Sequence, residues 1–101
     1  MIDFKQRVQT SFDRQEFMKT LGARIVAIDP GQVAIEWPFQ SHLTQQHGFL
    51  HAGVVAAVAD SACGYAALSL MPEGVAVLSV EFKVNLLRPA AGAHFFARSE
   101  K

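Results

Sequence analysis

The sequence predicts an α+β domain in which a curved antiparallel sheet wraps around one long central helix. The stretch Ala52 to Met71, AGVVAAVADSACGYAALSLM, has Asp60 as its sole charged member, and so little polar surface reads as a helix covered on every side. Runs with the period of strands flank it, from Ala23 to Trp37 and from Val75 to Leu87. In a chain of 101 residues, only a sheet folded around such a helix can cover most of its faces.

The elements follow in order. Phe4, Val8, Phe12, Phe17, Met18 and Leu21 recur at helical spacing, which suits one bent helix or two short ones. Asp13 and Glu16 have the spacing of a capping box at the start of the second piece, and Gly22 is its stop. Ala23 to Asp29 reads as a strand. Asp29-Pro30-Gly31-Gln32 supplies a turn, and Val33, Ile35 and Trp37 alternate along a second strand that Pro38 ends. Phe39 to Leu50 is a polar loop holding His42, Gln45, Gln46, His47 and Gly48. The apolar helix begins near Ala52, and Pro72-Glu73-Gly74 closes it. In Val75 to Leu87, Val80, Phe82, Val84 and Leu86 alternate with Ser79, Glu81, Lys83 and Asn85, the pattern of a long half-exposed strand. Arg88 to Gly92 turns the chain into a last strand from Ala93 to Lys101, giving four strands in all.

Composition narrows the function. The chain is one small domain, residues 1–101, with 50% hydrophobic residues to build a core. Nine basic residues balance nine acidic ones, so no electrostatic footprint points to nucleic acid or to an acidic membrane surface. A bilayer-spanning reading of the apolar stretch fails on its Ala and Gly content and on Asp60, whose insertion costs about 2.5–3.5 kcal/mol. A single cysteine, Cys63, excludes an internal disulfide and reads as a small core residue. With no secretory leader pattern at the N-terminus, a cytoplasmic location is expected. His42 and His47 lack further Cys, His or carboxylate neighbours at metal-ligand spacing, so no metal is expected. Ser61 beside Asp60 is not set in G-x-S-x-G, so a serine nucleophile is not favoured.

Asp60 is the residue to explain, because a carboxylate in an apolar helix must be paired, hydrogen-bonded or used. Helical projection places Gly53, Ala56, Ala57, Cys63, Gly64 and Ala67 on its face, a shallow groove that something else can approach. One reading is a helix-packing seam with a structural Asp; the other is a site. At the start of the helix, after the Gln-rich loop and His51, the unpaired N–H groups of Ala52 and Gly53 can bind a carbonyl oxygen that gains negative charge. Asp60 can serve as general base or as nucleophile toward an activated acyl group. His51 and Asp60 are nine residues apart, roughly 13.5 Å of helical rise. A reacting atom near both is therefore out of reach within one chain. A catalytic site would have to be shared across a symmetric dimer.

The segment QQHGFLHAGVVAAVADSACGYAALSLMPEGVAVLSVEFKVNLLRPAAG resembles the hotdog-fold thioesterases of the phenylacetate-pathway (PaaI) type, and the likeness runs from about residue 13 to the C-terminus. Their signature is a polar residue, a Gly, His-Gly-Gly, and an Asp in the central helix. The resemblance implies that Asp60 is the catalytic carboxylate and that the N–H of Ala52, standing where the family has Gly, polarises the thioester carbonyl. It further implies that His51 supports the loop, that Gln45 lies near the attacked carbonyl, that Gly48 is the loop Gly, and that Ser79 helps to place water or the acyl group. Gly53 and Gly64 would allow close approach of substrate, with an apolar groove of Ala56, Gly64 and Ala67 for a medium to long or an aryl acyl chain. The implied activity is hydrolysis of acyl-coenzyme A by a homodimer or homotetramer without cofactor. The alternatives are a non-catalytic acyl-coenzyme A binding or oligomerisation module and, last, a hotdog dehydratase. Relative to the family, the last two strands are missing after Lys101, so a C-terminally incomplete domain is expected.

Overall fold

The computed structural model describes residues 3–101. Two short helices open it, α1 (Phe4–Asp13) and α2 (Glu16–Thr20), followed by strands β1 (Arg24–Asp29) and β2 (Gln32–Pro38). A single 3₁₀ turn (Ser41–Leu43) leads to the long helix α3 (Ala52–Leu68), and β3 (His94–Glu100) ends the chain. The sheet is antiparallel, in the order β1-β2-β3. This is the α+β arrangement of a long helix against an antiparallel sheet that the sequence predicts.

Local chemistry accounts for most boundaries. Asp3 caps α1 by accepting the Gln6 N–H at 2.8 Å. The predicted capping box at Asp13 does not form. Asp13 is the last residue of α1 and takes the Gln9 amide at 2.8 Å instead, while Gln15 sits at the cap of α2 without a side-chain bond to the helix-start N–H groups. Gly22 stops α2 at φ +70°, and Gly31 turns β1 into β2 at φ +76°, both in the left-handed region that glycine adopts freely.

The core lies between β2 and one stripe of α3. Val33, Ile35 and Trp37 point inward at the two-residue period of a strand, and Val54, Val58, Ala62 and Ala66 meet them at the four-residue spacing of a helix face. Each fully buried Val, Ile or Leu contributes about 1.5–3 kcal/mol. Two buried serines fasten the layers. Ser99 Oγ lies 2.9 Å from Val33 O and 2.7 Å from Ala62 O, joining the sheet to mid-α3. Ser69 Oγ donates to Ala66 O at 2.7 Å and accepts the Gly31 N–H at 2.8 Å, joining the end of α3 to the hairpin turn. With that stripe fixed inward, Asp60 is turned to the opposite face.

Three expectations are corrected here. Helix α3 is not covered on every side: it buries one stripe, and Cys63, on the Asp60 face, is exposed rather than part of the core. The helix also ends at Leu68, capped by Ser69, before Met71. Most importantly, Val75 to Leu87 forms no strand. Alternation specifies which side chains can share a face, but a strand also needs a neighbour with which to exchange N–H···O bonds. Among the described residues, these find none, and Leu78, Val80 and Leu87 are 90%, 97% and 90% exposed. Among the described residues the sheet accordingly has three strands, not four.

Candidate active site

Two cavities flank α3, and they divide the predicted site residues between them. The first, about 570 Å³, is lined by Asp60, Ser61, Gly64, Tyr65 and Leu68 of α3, by Gly74 to Ser79, and by Arg7, Ser11, Arg14 and Gln15. Asp60 is half-buried on its wall, and its carboxylate accepts the Ser79 hydroxyl at 2.5 Å. That bond holds one oxygen. The other makes no ion pair among the described residues.

The second cavity, about 690 Å³, is lined by Gln45, His47, Phe49, Leu50, Ala52 and Val55 together with residues 85–90. It sits at the N-terminal end of α3, where the sequence dictates the local structure closely. Gln45 Oε1 accepts the His47 N–H at 2.6 Å and the Phe49 N–H at 3.2 Å, while Gly48 N–H donates to Gln45 O at 3.0 Å. This ties residues 45–49 into a tight loop that Gly48 completes at φ +86°. The side-chain oxygen of Gln45 is thus committed to its own loop, and its amide NH₂ is the end that remains for a ligand.

His51 is the N-cap of α3. Its Nδ1 accepts the Gly53 N–H at 2.8 Å, which places the ring proton of the neutral imidazole on Nε2. Gly53 has to be glycine for this, because a Cβ there would lie 2.9 Å from Nδ1. Gly53 N–H is consumed by the cap and Val54 N–H donates to His51 O at 3.0 Å. Ala52 N–H has no acceptor among the described residues. Of the two helix-start donors anticipated from sequence, Ala52 alone stays available to an oxyanion, at the positive end of the helix dipole.

Asp60, Ser79 and Gly64 therefore share one cavity, Gln45 and Ala52 the other, and no residue lines both. His51, Gly48 and Gly53 line neither cavity, but they adjoin in sequence the second cavity's lining residues His47, Phe49, Leu50 and Ala52. Of the predicted groove, Gly64 lines the first cavity, whereas Ala56 and Ala67 line neither of the two. Ser61 donates to Gln15 Oε1 at 3.1 Å and has no imidazole partner. Among the described residues, no three His, Cys, Asp or Glu side chains group together as metal ligands. No helix among them is long and apolar enough to cross a membrane.

Sequence reasoning missed the contribution of α1 and of its junction with α2. Tyr65 Oη receives the Gln15 amide at 3.1 Å and shares a 3.1 Å bond with Ser11 Oγ, so a polar network stands on the cavity wall beside Asp60. Its one legible trace was the pair Ser11 and Gln15, polar and four residues apart beside the apolar stripe of the first helical segment.

Comparison with known proteins agrees with this architecture. The model of the thioesterase superfamily matches residues 47–100, which run from within the second-cavity loop through α3 and β3. The crystal structure of a thioesterase family protein from Silicibacter pomeroyi is 60% identical, with a TM-score of 0.95 over 96% of this chain and 71% of that one. A mutant structure of the phenylacetic acid degradation protein PaaI from Thermus thermophilus is 28% identical, with a TM-score of 0.73 over 83% of this chain and 70% of that one. A Halobacterium salinarum protein named as a candidate esterase is 30% identical over 84% of this chain and 60% of its own. The chain spans 60% or less of the length of the curated relatives it matches. On these grounds the chain belongs to the thioesterase superfamily and has the hotdog fold of its PaaI-type members.

Proposed function

We propose that this chain hydrolyses acyl-coenzyme A thioesters at a site made from two copies of itself. The observation that carries the reading is Asp60: the single carboxylate of α3, turned away from the core onto a cavity wall, with one oxygen steadied by Ser79 and the other open. In the proposed reaction Asp60 removes a proton from water as the water oxygen attacks the thioester carbon. The oxyanion forms against the partner subunit's Ala52 N–H. The C–S bond then breaks, the thiolate takes the proton from Asp60, and the free acid leaves. Attack by Asp60 itself, through a mixed anhydride that water then opens, satisfies the same geometry. A thioester is already activated, so one carboxylate and one preorganised N–H suffice without metal or redox cofactor.

Two features support the sharing of the site. Ala52 and Asp60 are separated by about 12 Å of helical rise, too far for one substrate carbonyl to meet both within a chain. The small-residue face of α3 and the exposed Leu78, Val80 and Leu87 also offer a second copy an apolar surface.

The test is free-thiol release from a panel of acyl-coenzyme A substrates by the purified chain and by Asp60→Asn. Turnover by the wild type, lost in the variant while ligand binding persists, is the expected result. Binding without turnover in both would identify the alternative, a non-catalytic acyl-coenzyme A module. In single-turnover hydrolysis in ¹⁸O-water, label in the Asp60 carboxylate identifies the anhydride route, with water opening the anhydride at the Asp60 carbonyl carbon.

A further inference from the structure

We propose that Tyr65, with Ser11 and Gln15, is a specificity determinant that makes the Asp60 cavity prefer acyl groups carrying an oxygen hydrogen-bond acceptor in their tail. The inference rests on the thioesterase reading for the position of the acyl carbonyl, and on the donors of the cavity wall for its content. Two hydroxyl protons, from Tyr65 and Ser11, meet across one 3.1 Å bond, so one proton is left to donate elsewhere. Gln15 donates one amide N–H to Tyr65 Oη and keeps a second. Arg7 Nε, on the same wall, is buried with no acceptor among the described residues, although its Nη1 reaches Met71 O at 2.9 Å. The wall is thus rich in donors that lack acceptors, while Leu68, Val75, Val77 and Leu78 supply its apolar remainder.

Position fixes where on the substrate the acceptor belongs. Tyr65 follows Asp60 by five residues, about 7.5 Å along the helix axis. With a carbonyl at Asp60, an extended tail of about six carbons spans that axial rise, inside the one cavity that both residues line. A plain alkyl tail would displace water from these donors without replacing its hydrogen bonds. A tail ending in a hydroxyl would replace them, and sites that hydrogen-bond a substrate group discriminate strongly against analogues lacking it.

The experiment compares hexanoyl-coenzyme A with 6-hydroxyhexanoyl-coenzyme A by thiol release, and hexanamide with 6-hydroxyhexanamide by NMR-monitored binding. The wild type is expected to prefer the hydroxylated member of each pair by about tenfold or more. Tyr65→Phe keeps the ring that packs edge-on against Phe12, with centroids 5.9 Å apart, and should bring the preference close to unity. Ser11→Ala should reduce it in part, and provides a second readout should Tyr65→Phe fail to fold. A loss of packing alone would lower activity on both members equally and leave the ratio unchanged. No preference in the wild type, or an unaltered ratio in both variants, overturns the inference. Preferential amide binding without thiol release would leave the inference standing and remove the thioesterase reading instead; thiol release without preference would do the reverse.

Discussion

At its N-terminus α3 offers a ligand its backbone: the Ala52 N–H, flanked by a His51 ring folded onto Gly53 and a loop braced by Gln45. Eight residues later it offers a side chain, Asp60, held by Ser79. The two stations fail in different ways. A backbone donor is indifferent to most side chains at its own position, which is why Ala can stand where the resembling family has Gly, but it depends on the geometry that orients it. A carboxylate depends on two oxygens and tolerates no chemical replacement, while its surroundings can vary.

This contrast can be broken most sharply at Asp60. Asp60→Asn keeps shape and size and removes the proton acceptor, so kcat should fall by about a thousandfold, within the range for loss of a positioned acid–base group. Thiol release by the folded variant checks this.

At the other station the matching deletion is Ala52→Pro. Position Ala52 is the first residue of the helix, where proline is well accepted, and His51 already has the extended backbone that a following proline demands, at φ −62° and ψ 134°. The substitution removes one N–H and little else. Loss of a single oxyanion donor predicts a drop in kcat of about a hundredfold or more with circular dichroism unchanged.

Gly53→Ala should act indirectly and less strongly. Its Cβ would displace the His51 ring, costing the N-cap bond, about 1 kcal/mol. A lower Tm together with about tenfold slower turnover is the expected pair of readings. Smallest of all is Ala52→Gly, which leaves the N–H in place and should change kcat by about twofold or less; a large effect would mean that the Ala52 methyl, not its backbone, is what substrate meets.

Much of this was legible in the sequence because it is local. The Pro30-Gly31 turn, the stop at Gly22, the long apolar run of α3 and its isolated Asp60 each follow from chemistry within a few residues. Segment 75–87 was not legible in that way. Its alternation is as clear as that of β2, but β2 has β1 and β3 on either side, whereas no strand among the described residues lies beside it. Cys63 was misplaced for a related reason: mean apolarity made α3 look covered all round, yet only the stripe from Val54 to Ala66 meets the sheet. The Ser11–Tyr65–Gln15 network depends on how α1 and its junction with α2 pack across α3, over sequence separations of 54 and 50 residues, and no local pattern encodes that.

The central claim is that the two stations act together across two chains, and mixing inactive variants tests it most directly. Asp60→Asn and Ala52→Pro are each expected to be nearly inactive alone. Co-expressed with different tags and purified as the mixed species, they should regain activity, because one of the two sites in a mixed dimer would then hold an intact Asp60 from one chain and an intact Ala52 N–H from the other. Recovery of about half the wild-type rate per mixed dimer is the predicted result. A mixed dimer as inactive as either parent would contradict the account and return both stations to a single chain.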